Sequence, residues 1–205
     1  SLVQSLKRKG LVRSIANQSL YSGYYKALKD YLQPVLKQLA IAIPILLAVQ
    51  DDQRTALLTG AIYSALYFLT AYASRSSGKL SERYTTLATP LNYLLFFGVI
   101  CGILSGLAYW AGVPLVAVVL YVGIYMIENL RKPMGIAYVT ERMDKASLAS
   151  ALSVESQAET LFAVLFALLL GFFSNMFGLG LGILIVSAIA TALAVVLRLP
   201  VEKPT

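Results

Sequence analysis

Six apolar stretches joined by short polar connections fill most of this chain. They run near Tyr24–Gln50, Arg54–Ser74, Leu87–Ala111, Val113–Tyr138, Leu148–Phe173 and Phe177–Leu197. A hydrocarbon core about 30 Å thick takes roughly 20 helical residues to cross, and each stretch is close to that length or longer. Lipid rather than water is therefore the solvent most of this sequence must satisfy. Charge agrees: 58% of the 205 residues are hydrophobic and 13% are charged, against about 25% charged in an ordinary soluble domain. An outer-membrane barrel would alternate apolar and polar residues over segments of about 10. Runs such as Leu161–Leu170 and Val113–Tyr121 are continuous instead. In lipid a helix closes its own backbone hydrogen bonds, so the expected fold class is an all-α membrane protein with six transmembrane helices.

Basic residues set the expected orientation. Lys7, Arg8, Lys9 and Arg13 precede the first stretch, and Arg75, Lys79 and Arg83 follow the second. Arg131, Lys132, Arg142 and Lys145 follow the fourth, and Arg198 and Lys203 end the chain. The other three connections, around Asp51–Arg54, Trp110–Gly112 and Ser174–Met176, hold Arg54 as their one basic residue. The positive-inside rule then places both termini in the cytoplasm of a multi-pass protein of the cytoplasmic membrane. It also explains the net charge of +7. Basic residues spaced by membrane spans form no single patch for nucleic acid.

Several chemistries are excluded by composition. Histidine is absent and Cys101 is the only cysteine. That leaves no Ser-His-Asp triad, no ordinary zinc site and no disulfide framework. No P-loop or nucleophile elbow is present. We therefore expect no enzyme, no metal and no cofactor. Residues 1–22 interleave Leu2, Val3, Leu6, Leu11, Val12 and Ile15 with the basic residues, a pattern suited to an amphipathic linker on the inner membrane surface. The expected domains are this linker, a six-helix domain over 23–198 and a cytoplasmic tail over 199–205.

After the second stretch comes Gly78-Lys79-Leu80-Ser81-Glu82-Arg83-Tyr84. It resembles the Gly-x-x-x-Asp-Arg loop of the major facilitator superfamily, with Glu82 in place of Asp. In this reading Gly78 allows a tight turn after the helix, and Glu82 and Arg83 supply charges that latch onto a neighbouring helix end. The run Arg131-Lys132-Pro133, with Lys145-Ala146-Ser147 beyond it, is similar to the family's Arg-x-Pro in the tenth helix and its small-residue entry into the eleventh. Lys145 stands where the family often has Arg. The resemblance covers nearly the whole chain and matches the C-terminal half of a twelve-helix transporter. It implies two inverted three-helix repeats, an N-terminal six-helix half as partner, and a small solute carried by alternating access, facilitatively or with protons. The chain would then be a fragment or an excised domain. A complete six-span scaffold or subunit without its own substrate is the reading that competes with it.

Candidate functional residues follow from membrane depth. Counting about 1.5 Å per residue from the outer ends of their spans, Lys37, Glu128 and Glu159 each lie roughly 20 Å down. Ionisable groups there are costly and tend to face a cavity and pair, unless their side chains snorkel to the interface. Lys26, Asp30, Gln33 and Lys37 share one helical face at spacings of four, three and four. Arg131 adds a further charge to the transport-cavity group. One Lys with two Glu leaves a carboxylate unpartnered, which makes Glu128 or Glu159 a candidate proton carrier. Gly98, Gly102 and Gly106 repeat every four residues, a face fitted to close helix packing.

Overall fold

A computed structural model describes residues 10–42, 51–143 and 148–201, and among them the chain is all-helical. The helices are α1 (Leu11–Lys29), α2 (Leu32–Ala42), α3 (Asp51–Ser81), α4 (Ala88–Trp110), α5 (Pro114–Thr140), α6 (Leu148–Phe177) and α7 (Leu179–Val196). Helices α3 to α7 are the five that are long and apolar enough to cross a membrane. Helix α1 is long enough, but its polar and charged residues keep it out of that set.

The first expected span, Tyr24–Gln50, is not one helix. It is divided between α1 and α2, and residues 43–50 lie outside the described part. Pro34 accounts for the break. Proline lacks the N–H that would bond the carbonyl four residues back, and its ring clashes with that carbonyl. The carbonyl belongs to Asp30, the residue that caps α1. Pro34 then sits in the first turn of α2, where it is tolerated. The continuous stripe from Lys26 to Lys37 is therefore cut at Asp30.

Nor does a boundary appear at residue 22. Helix α1 starts after Gly10, whose φ is 109°, and runs unbroken through the expected end of the linker. Leu11, Ile15, Asn17, Gln18, Ser19, Leu20, Tyr21 and Ser22 are all buried. Gly78 also differs from expectation. It lies inside α3, and the turn starts at Glu82, whose N–H donates to the Gly78 carbonyl.

Contacts fix the helix directions. Ser19 Oγ donates to the Glu155 carbonyl, and Gly23 abuts Glu159 and Ala163, so α1 and α6 run parallel. Asn17 meets Arg131, and Leu28 meets Tyr121, so α5 runs against α1. Leu91 meets Arg131 and Ser105 meets Ala117, which sets α4 against α5. Helix α4 is likewise antiparallel to α7, from Asn92 with Leu199 to Gly106 with Gly180. Among the described residues, α3 packs chiefly on α2 and α5.

The short connections are built by glycine. Gly112, at φ 74°, follows α4, with Val113 N–H donating to the Ala108 carbonyl and Gly112 N–H to that of Tyr109. That pair of bonds is the Schellman closure, which needs a left-handed residue at this place. Gly106 and Gly180 bring α4 and α7 into backbone contact: a Cβ on Gly106 would lie 2.6 Å from Leu184 N and 2.7 Å from the Gly180 carbonyl oxygen.

Large apolar side chains lie on the surface as well as in the core, and a few polar residues are enclosed within that apolar interior. Tyr67, Phe68, Phe97, Leu115, Val119, Leu161, Leu168 and Phe172 are exposed, while Asn17, Gln18, Ser22, Glu128 and Arg131 are buried. Exposed apolar area on this scale marks a surface made for lipid or a partner.

Candidate functional site

The polar residues gather along α1 where α5 and α6 pack on it. Two helix breaks help position them. Ending α1 at Lys29 frees its last carbonyls, and α5 supplies the donors: Tyr121 Oη donates to the Leu28 carbonyl at 2.6 Å and Tyr125 Oη to that of Lys29 at 2.8 Å. Within α5, Pro133 removes another helical N–H. One turn away, Ser77 Oγ of α3 donates to the Leu130 carbonyl at 2.9 Å and ties the two helices together there.

The inner layer is closed from solvent. Arg131 is fully buried. Its Nη2 donates to Asn17 Oδ1 at 2.6 Å and its Nε to the Leu91 carbonyl at 3.1 Å, and its guanidinium lies 5.2 Å from the Tyr21 ring centroid. Asn17 is bivalent, since its Nδ2 donates to the Leu197 carbonyl at 2.9 Å. One turn along α5, Glu128 accepts from Ser22 Oγ at 2.7 Å through Oε1, while its buried Oε2 has no hydrogen-bond partner. Burying such groups is tolerable only where hydrogen bonds replace water, and α1 supplies most of them here.

The outer layer is open on one side. Glu159 Oε1 faces two ammonium groups, Lys26 at 3.0 Å and Lys132 at 3.6 Å. Glu155, one turn before Glu159 on α6, is also buried. A cavity of about 430 Å³ opens between α1, α3 and α5. Tyr25, Tyr63, Tyr67, Tyr125, Lys29, Asp30, Leu66, Thr70 and Asn129 line it. A larger hollow of about 590 Å³ along α3 is lined, among the described residues, by Gln53, Ala56, Leu57, Gly60 and Ala61.

Of the residues expected to line a transport cavity, Glu128, Glu159 and Arg131 come together against α1, and Asp30 lines the open cavity. Lys37 does not join them. It is exposed on α2, past the Pro34 break, and Lys26 and Lys132 hold Glu159 in its stead. Gln33 is exposed in the first turn of α2. In the motif loop Glu82 and Arg83 are exposed, and Gly78 has open space around it. Gly98, Gly102 and Gly106 are buried. Side chains there would meet the Tyr21 ring, the Tyr24 and Ser187 hydroxyls, and the α7 backbone, in that order.

Sequence patterning does not single out Asn17 and Ser22 as site residues, because residues 1–22 have the pattern of a surface linker. One signal does point to them: no charge falls between Arg13 and Lys26, an interval that suits a buried helix better than a surface one. No group of three or more residues with metal-ligating side chains occurs among the described residues. Compared with known proteins, the chain matches no family model and no curated sequence.

Proposed function

We propose that this chain is one six-helix half of a secondary transporter of the major facilitator type, seated in the cytoplasmic membrane with its basic loops inward. In this reading α1 and α2 together form the first pass and α3 to α7 the other five. The observation that carries it is the charged, tyrosine-lined face of α1, α3, α5 and α6, open on one side of a bundle that elsewhere exposes large apolar side chains along α3 to α6. A lipid-facing position would strand Lys26, Lys29, Asp30 and Lys132 in hydrocarbon. A water-filled path shared with a second half would not.

The helix arrangement supports the inverted repeats. Pairing α1, α3, α4 with α5, α6, α7 in order, each helix runs opposite to its counterpart. The contact of α1 with α6 then has its equivalent in that of α5 with α3, and α1–α5 and α4–α7 lie across the approximate axis. Substrate at such a repeat interface near mid-membrane is the expected layout for alternating access. Glu128, with a carboxylate oxygen lacking a hydrogen-bond partner, supports proton coupling.

Alternating access can be tested without a known substrate. Asn129 lines the cavity and Cys101 is buried, so Asn129→Cys in a Cys101→Ala background gives one reporter thiol. A membrane-impermeant maleimide applied to right-side-out and inside-out vesicles of the full-length protein should label it from both faces. Labelling from one face only, or from neither, would favour the static scaffold.

A further inference from the structure

Resting on the transporter reading, the wall of the open cavity bears on the class of solute. Tyr125 follows Pro114 by 11 residues, so at about 1.5 Å per residue the cavity lies roughly 17 Å from that end of α5. That is close to the middle of a core about 30 Å thick, where a charge is expensive unless a partner answers it. Two charged side chains line this wall, Lys29 and Asp30 at the end of α1. Neither is in an ion pair among the described residues. Behind the wall, Lys26, Arg131 and Lys132 balance Glu128, Glu155 and Glu159 in formal charge. That cluster has no surplus of either sign to lend.

The neutral groups of the wall are mostly acceptors. Asn129 Nδ2 donates to the Tyr125 carbonyl at 2.9 Å, which leaves Oδ1 as the part of its amide able to serve a ligand. Thr70 Oγ1 donates to the Leu66 carbonyl at 2.8 Å and Tyr125 Oη to that of Lys29 at 2.8 Å, so each hydroxyl oxygen keeps its lone pairs and not its proton. Tyr25 and Tyr125 meet edge to face with ring centroids 5.0 Å apart, and Asp30 lies within electrostatic reach of both. A carboxylate, acceptor oxygens and tyrosine faces together suit an ammonium group. Lys29, the cationic donor of the wall, suits a carboxylate. A solute that is only an anion would leave Asp30 unanswered, and one that is only a cation would leave Lys29 so.

We propose that the transported solute is a small zwitterion of amino-acid type. Its carboxylate is received by Lys29, its ammonium by Asp30, Asn129 Oδ1 and the Tyr25–Tyr125 pair, and its apolar body lies toward Tyr63 and Tyr67 of α3. A volume of about 430 Å³ falls within the range for small-molecule sites.

L-Phenylalanine, 3-phenylpropanoate and phenethylamine share one body and differ in charge. Tritiated L-phenylalanine should bind saturably to the full-length protein in nanodiscs, and the acid and the amine should each compete about tenfold or more weakly, since each lacks one charge-assisted contact. The variants divide the two contacts. Lys29→Gln should weaken phenylalanine about tenfold or more and leave phenethylamine unchanged. Asp30→Asn should weaken phenylalanine to a similar extent and leave 3-phenylpropanoate unchanged. Lys37→Gln, away from the cavity wall, should alter none of the three. Lys29 and Asp30 are exposed, so these variants keep the fold, and the elution volume checks it. The acid or the amine binding as tightly as phenylalanine, no saturable phenylalanine binding, or a variant that weakens all three probes alike would overturn the zwitterion assignment. Binding does not need transport. Phenylalanine binding with one-sided labelling of Asn129→Cys leaves this assignment standing and removes the transporter reading. Two-sided labelling without phenylalanine binding does the reverse.

Discussion

The Arg131 guanidinium reaches an amide oxygen on α1 and a carbonyl on α4, and that reach depends on its fork of donors. Lysine offers a point charge on a stem and cannot span both acceptors. Arg131→Lys and Asn17→Ala should therefore be non-additive in a double-mutant cycle, with a coupling of about 0.5–3 kcal/mol, the usual range for residues in contact. Reversible unfolding in micelles measures it; simple additivity would mean the 2.6 Å bond contributes nothing. Glycines give a sharper contrast. Gly78 is helical, and a Cβ added there would have nothing within 4 Å, so Gly78→Ala should stabilise by about 1 kcal/mol through helix propensity. A Cβ at Gly102 meets the Tyr24 and Ser187 hydroxyls, and leucine there would push α1 and α7 away from α4. We expect Gly102→Leu to lose folded protein on size-exclusion chromatography, while Gly78→Ala runs as wild type.

At the scale of elements, the break between α1 and α2 belongs to Pro34. With alanine there, residue 34 regains an N–H aimed at the Asp30 carbonyl, and the two helices should fuse. Hydrogen exchange at residues 30–34 in Pro34→Ala should slow markedly; unchanged exchange would place the cause of the break elsewhere. Proline's covalent chemistry is written in the sequence, so this break is legible there. The apolar run Leu39–Val49 masks it, by drawing the span boundary toward the wrong end of the segment. Helices α4 to α7 are legible to within a few residues, since each is a long apolar run punctuated by Gly or Pro. The buried polar helix α1 is not, because its partners are Arg131, Glu155 and Leu197, far along the chain and invisible to any local pattern. The same reason explains the site. Charge and depth point to Glu128, Glu159 and Arg131, but choosing Lys26 and Lys132 over Lys37 requires the path of the chain past Asp30.

For the whole molecule, proton coupling becomes testable through the same reporter thiol. Glu128 is faced by Ser22, Tyr21 and Tyr25 of α1, by Arg131 and Lys132 of α5, and by Glu155 and Glu159 of α6. Of these carboxylates Glu159 is held by two lysines, whereas Glu128 keeps one buried oxygen with no hydrogen-bond partner among the described residues, so Glu128 is the carboxyl on which coupling is tested. The ratio of labelling of Asn129→Cys from the two membrane faces should change with pH in the parent and become flat in Glu128→Gln. A ratio that keeps its pH dependence in that variant would assign coupling elsewhere. The position of α1 has one more consequence, in the making of the protein. Among the helices described, polar α1 is made before the helices that pack most on it, and Tyr121 of α5 follows Leu28 by 93 residues, a wait of about 5–20 s at ordinary ribosomal speeds. During that interval the α5 and α6 groups that hydrogen-bond Asn17, Ser19 and Ser22 are still missing. Integration of α1 should accordingly be post hoc: nascent chains truncated after α4 ought to leave it extractable from the membrane by alkali or open to protease, and those extending past α6 ought to hold it fast.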